Sequence, residues 1–249
     1  GNFSQIGSEE ITNGNFSQIG SEQITNGSFD TDTDWTKGTG WSIGGGTANC
    51  DGTQTSNTSL YQAALTLNKT YKFEFTISDI TSGQVRLRNG IGDSETYIGY
   101  QNAAGTFTAY AKVNGNTILV IDGDADFIGS IDNVSVKEVG QDWNLGTGWS
   151  IGDDKAVANN VNAAFLIQNS ILTSGKTYKI NYTVQDYTSG SFRFRASSVN
   201  GTTNSANGTY TDYIVSGGTQ FALQGLNNFN GSITNISVKE VGQDWELNG

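Results

Sequence analysis

The chain contains no histidine, no proline and no methionine, and one cysteine, Cys50. Without histidine, the commonest general base and the commonest transition-metal ligand are both missing. A Ser-His-Asp or Cys-His catalytic device is therefore excluded. A lone cysteine forms no intramolecular disulfide, so the folded units must be held by their cores. Its counterpart in a later repeat is Ala158, which marks position 50 as a small packed residue rather than a reactive thiol. Basic residues are also scarce: 13 Lys and Arg against 24 Asp and Glu give a net charge of −11. That balance argues against nucleic-acid binding, whose affinity comes from neutralising phosphates. No apolar run reaches the roughly 18 residues of a spanning helix, so no membrane insertion is expected. No secretory signal follows Gly1, which leaves processing or a missing upstream region open.

What the chain has in abundance is repetition. Gly129-Ser-Ile-Asp-Asn-Val-Ser-Val-Lys-Glu-Val-Gly-Gln-Asp-Trp143 returns as Gly231-Ser-Ile-Thr-Asn-Ile-Ser-Val-Lys-Glu-Val-Gly-Gln-Asp-Trp245. Trp35, Gly40-Trp-Ser-Ile and Thr81-Ser-Gly-Gln-Val-Arg-Leu-Arg88 also recur, as Trp143, Gly148-Trp-Ser-Ile and Thr188-Ser-Gly-Ser-Phe-Arg-Phe-Arg195. These matches define two modules, 21–139 and 140–242, and place the start of a third repeat or an inter-subunit connector at 243–249. A shorter repeat occupies the beginning. Asn2-Phe-Ser-Gln-Ile-Gly-Ser-Glu-Glu-Ile-Thr-Asn-Gly14 is followed by the same sequence over 15–27, with Gln23 for Glu10. A third copy starts at Ser28-Phe29 and diverges. Residues 1–20 are read as a strand-repeat segment of their own.

The modules read as all-β. Tyr71, Phe73, Phe75 and Ile77 alternate with Lys72, Glu74 and Thr76, the period of a half-buried strand. The same alternation runs through 84–88, 106–110, 117–121 and 130–136. Asn-Gly pairs such as Asn89-Gly90 and Asn207-Gly208 punctuate the strands as hairpin signals. No amphipathic helical stripe occurs. The fold class is tandem antiparallel β-sandwiches, jelly-roll-like, without significant helix.

The opening Ile24-Thr-Asn-Gly-Ser-Phe-Asp30, then Trp35 and Gly40-Trp-Ser-Ile, resembles the first strand and loop of jelly-roll carbohydrate-binding modules of the family 4/9, galactose-binding-like type. Ile131-Asp-Asn-Val-Ser-Val136 resembles their last strand. The nearly verbatim tandem copies also resemble adhesin-type modules of bacteriophage virion proteins and of bacterial surface proteins. The first resemblance implies sugar binding. It also implies a structural calcium ion in the first module, held by Asp30 and Asp132; Thr234 stands at the matching place in the second. Otherwise Asp30, Asp32 and Asp34 form a solvated loop. Asp122, Asp124 and Asp126 read as an acidic turn.

Two arginine pairs, Arg86 and Arg88 and then Arg193 and Arg195, alternate with apolar residues on one strand face. They fit bidentate contacts to sugar hydroxyls or a carboxylate, or else a solvated face paired to nearby acids. Tyr97 and Tyr100, and Tyr210 and Tyr213 in the second module, lie in polar segments and are taken as an exposed binding surface. Trp41 and Trp149 share a strand face with Ile43 and Ile151 and read as core. Trp35 and Trp143 are expected at the inter-module junction. The repeated 13-mer, with Phe3, Ile6, Ile11, Phe16, Ile19 and Ile24, supplies more copies of an opening strand than one neighbouring module needs. Surplus strands are templates for self-association into an oligomer or filament.

The leading expectation is a non-enzymatic structural protein of a virion or extracellular surface assembly. The alternative is a carbohydrate-binding module pair that attaches a particle, cell or secreted enzyme to surface glycans.

Overall fold

The computed structural model describes residues 6–90 and 96–242. It contains no helix among them. The chain forms two compact units: Ile19–Val139, and Gly1–Gln18 together with Gly140–Gly249. None of the described helices is long and apolar enough to cross a membrane, there being none.

The Ile19–Val139 unit is a sandwich of two antiparallel sheets. One sheet runs in the order Gly105–Lys112, Thr70–Ser82, Ile128–Val139, Thr47–Asp51, Trp41–Gly44, with Ile19–Glu22 also paired to Ile128–Val139. The other runs Thr36–Lys37, Thr58–Ala63, Ile118–Gly123, Val85–Asn89, Thr96–Gln101. Period-two alternation places the core between them. Tyr71, Phe73, Phe75 and Ile77 from one sheet are buried with Val85, Leu87, Leu119 and Ile121 from the other. Trp41 packs on Phe127 in this core, and Trp149 on Phe229 in the second unit.

The second unit has the same plan, with longer strands. Thr177–Ala196 spans what Thr70–Ser82 and Val85–Asn89 do separately, and Phe221–Val241 spans Ile118–Gly123 and Ile128–Val139. The register recurs as well: Trp41 pairs with Cys50, and Trp149 with Ala158. Cys50 is buried, and that burial pushes its thiol pKa up. We expect Cys50→Ala to cost about 1 kcal/mol or less, a small change in a core site that Ala158 already fills. We also expect a thiol reagent to label Cys50 only after unfolding, which absorbance during a denaturant titration would follow.

The opening repeats close the two sandwiches, one each. Residues 19–29 lie on the last strand of the first unit, and residues 6–16 lie in the same way on the last strand of the second. Glu22 accepts hydrogen bonds from Ser135 Oγ (2.6 Å) and Val136 N (2.7 Å). Glu9 accepts from Ser237 Oγ (2.6 Å) and Val238 N (2.6 Å). Gly27 O accepts from Val134 N and Gly14 O from Ile236 N, both at 2.9 Å. Those two amides are turned outward because Asn133 and Asn235 adopt positive φ (50° and 54°) and break the strand register beside them. A Cβ on Gly27 or Gly14 would sit 2.0 Å from the carbonyl oxygen of Val134 or Ile236, so only glycine permits the approach.

Each segment is then locked from the other side. The side-chain amide of Gln62 bonds Thr25 twice, and that of Gln168 bonds Thr12 twice. Phe29 lies 5.3 Å from Trp35, whose indole donates to Asn26 O; Phe16 lies 5.2 Å from Trp143, whose indole donates to Asn13 O. Ile11, Ile24, Phe16 and Phe29 are buried, whereas Ile6 and Ile19 are about half exposed.

Three sequence expectations change here. Among the described residues, 6–18 are not a segment apart: they belong to the second unit, and their strand Ile6–Glu9 pairs with Phe221–Val241. There is no surplus among the described residues, since two segments meet two places. Trp35 and Trp143 pack inside their own units beneath these segments rather than at a junction. Phe3 and residues 243–249 lie outside the described residues.

Candidate functional site

The five-stranded sheet of the first unit carries a cluster of paired charges on its outer face. Strand alternation sends Val85 and Leu87 inward and Arg86 and Arg88 outward. Asp122, directly opposite Arg86 in register, is on the same face. Asp122 is 1% exposed, so its charge must be compensated locally. Arg86 donates from Nε and Nη2 to Asp122 Oδ2 (3.1 and 2.9 Å), and Arg88 Nη2 donates to Oδ1 at 3.4 Å. Ser59 Oγ completes the carboxylate at 3.0 Å. Arg88 is itself buried and also donates to Gly90 O. The two arginines are therefore structural partners of one acid first, and only Arg86 keeps an outward edge.

That edge lies over an aromatic ring. The Arg86 guanidinium carbon is 4.7 Å from the Tyr100 ring centroid. Tyr100 is exposed, and its hydroxyl accepts a hydrogen bond from Asn57 Nδ2 at 3.1 Å. Asn57 also lines an open groove of about 360 Å³ with Lys37, Thr55, Ser59 and Tyr61 among its walls. The arrangement offers a fixed cation, an apolar ring and a row of hydroxyl and amide groups.

The second unit does not reproduce it. Gln224 stands where Asp122 does and accepts from Arg193 Nε at 3.0 Å. Arg195 lies 5.4 Å from the Phe165 ring centroid, and its Nε is buried without a hydrogen-bond partner. Neither Arg193 nor Arg195 forms an ion pair among the described residues. One position before the residues facing Val85 and Phe192 stand Tyr100 and Thr203, so the aromatic member is missing too.

The four tyrosines separate. Tyr100 and Tyr213 are exposed. Tyr97 instead stacks on Phe73 at 4.1 Å, and Tyr210 on Tyr182 at 5.5 Å, both against the core. Tyr210 and Tyr213 also lie on the other sheet, in Gly208–Val215, the strand matching Gly105–Lys112. They are therefore no counterpart of Tyr97 and Tyr100. Asp30 accepts from Ser28 Oγ (2.7 Å), and Asp132 accepts from the Asn133 backbone and side chain (2.6 and 3.0 Å). Among the described residues no group of three or more acidic or thiol side chains gathers to hold a metal ion. Asn57 escaped the sequence reading because nothing local distinguishes it in a chain rich in Asn. Asp122 was visible only as part of an acidic turn.

No family description and no curated protein sequence matches the chain. Among solved structures it is similar to the N-terminal CBM22-1–CBM22-2 tandem domain of Xyn10C from Paenibacillus barcinonensis, at 10% identity, over 90% of this chain and 99% of that one, with a TM-score of 0.37. It is also similar to a fucolectin from striped bass (Morone saxatilis) serum, at 6% identity over 79% and 86%, TM-score 0.30. A third is the tandem CBM51 pair of Sp3GH98, a family 98 glycoside hydrolase of Streptococcus pneumoniae SP3-BS71, at 8% identity over 95% and 96%, TM-score 0.27. The sandwich assignment rests on the chain's own sheets.

Proposed function

We propose that the chain is a non-catalytic binding protein that holds a glycan on the outer sheet face of its first module. The observation that carries this reading is the Arg86–Tyr100–Asn57 constellation beside its hydroxyl-lined groove. A sugar ring has an apolar face and a polar rim. An exposed tyrosine serves the first, and fixed donors and acceptors serve the second. Arg86 is held in place by Asp122, so little side-chain freedom is lost on binding. The resemblance of the opening and closing strands to family 4/9 carbohydrate-binding modules implies the same class of ligand.

Tyr100→Ala and Asn57→Ala change exposed side chains and leave the core alone. We expect each to weaken binding about tenfold, the equivalent of about 1.4 kcal/mol. A glycan array screen of the wild type, followed by titration calorimetry on the best hit, reads this directly. Equal affinity of both variants, or an array with no hit, would remove the reading.

A second reading is a building block of an extracellular surface assembly, a virion included. It is favoured by the duplicated strand-and-module unit, in which each sandwich is closed by a near-copy of the same segment.

A further inference from the structure

We propose that residues 6–16 and 19–29 are interchangeable, and that the chain associates with a second copy of itself by exchanging residues 6–16. This goes beyond the glycan reading and does not depend on it. The two segments differ at two positions, Glu10/Gln23 and Asn15/Ser28. Their receiving strands, 134–140 and 236–242, differ only by Val134/Ile236. Four contacts that seat one segment have counterparts in the other: the glutamate on a Ser-Val pair, the glycine carbonyl on a bulge amide, the glutamine bracket, and the phenylalanine against a tryptophan. Asn26 Nδ2 adds bonds to Thr31 O and Thr33 O in the loop that follows it, which Asn13 does not make. A segment moved to the other place, or to that place in another copy, finds the same partners.

The differing positions do not oppose the exchange. Asn15 and Ser28 are both exposed. Glu10 is half-buried, and its pKa is raised, first by that burial and then by Glu240 and Glu9 nearby. Gln23 carries no charge at the equivalent position. The second segment therefore meets one repulsion fewer on strand 236–242 than the resident does. Both segments also hold a bulky residue in the left-handed region, Phe16 at φ 59° and Phe29 at φ 53°. That conformation is uncommon and persists only while the docked contacts impose it.

A chain that lends residues 6–16 to another copy must accept the same segment from one. Two copies then close into a reciprocal pair, or successive copies extend head to tail. Because the contacts made are those lost, concentration sets the balance between closed and exchanged forms.

The test uses the full chain carrying Gly14→Val. The added side chain collides with Ile236 O, so residues 6–16 cannot seat and strand 236–242 is left open. Fluorescent synthetic peptides of residues 6–16 and of residues 19–29 are titrated against it by anisotropy. We expect both to bind, with Kd values within about threefold and the second the tighter. Binding of the first peptide alone, or of neither, overturns interchangeability. A second measurement does not depend on that variant. Ile6 and Val241 are register partners. The chain carrying Ile6→Cys, Val241→Cys and Cys50→Ala is refolded at rising concentration, oxidised and run on a non-reducing gel. Covalent dimers and longer ladders that increase with concentration are expected. Internal cross-linking alone at every concentration overturns exchange between copies.

Discussion

Asp122→Ala is expected to destabilise the first module by about 3–5 kcal/mol, the usual cost of stripping the partner from buried charge. For a unit of this size that lowers its melting temperature by roughly 10–20 °C. The reason is the asymmetry of buried ion pairs: Asp122 is 1% exposed and accepts from Arg86, Arg88 and Ser59. Removing it takes from two guanidinium groups on one strand, one of them buried, the carboxylate that both hydrogen-bond. Asp122→Gln should be milder, about half the loss, because a hydrogen bond to a guanidinium remains. The second module demonstrates the tolerance, with Gln224 accepting from Arg193. Differential scanning calorimetry separates the cases. Should the Ala variant melt within a degree or two of wild type, the cluster would not be the structural element described.

Gly27→Val is expected to unseat residues 19–29 from the first module. Its Cβ would sit 2.0 Å from Val134 O and 3.1 Å from the Val134 carbonyl carbon, both backbone atoms that cannot swing aside. With the strand displaced, Ile24 and Phe29 leave the core, a loss on the scale of a buried Phe→Ala change, about 3–5 kcal/mol. Trp35 should report it, because its indole loses both Phe29 and its hydrogen bond to Asn26 O. A red-shifted tryptophan emission accompanied by a lower melting temperature is the expected result. Gly99→Ala is the control: nothing lies within 4 Å of a Cβ there, and a change under about 0.5 kcal/mol is expected. Identical melting of the Gly27→Val and Gly99→Ala proteins would refute the docked arrangement.

Much of the candidate site was half legible. The alternation around Arg86 and Arg88 marks their outward face by local periodicity alone. It says nothing of what stands across the sheet, and Asp122 is a neighbour only through strand pairing. The same limit explains Tyr97 and Tyr210. Each lies in a polar segment, yet each is turned inward by its strand's register to stack on Phe73 or Tyr182. Tyr100 and Tyr213 escape that fate because they stand at odd spacing from their inward neighbours, on different sheets.

By itself the sequence determined that these modules are repeated β-sandwiches without histidine chemistry, because composition and period-two burial are local properties that every strand must satisfy. It also contained the matched segments and receiving strands, written almost identically twice. Which segment closes which sandwich was decided only in three dimensions. Near-identical strands carry no address, and the pairing is settled by which bulged edge, glycine approach and tryptophan each one reaches when the whole chain is folded.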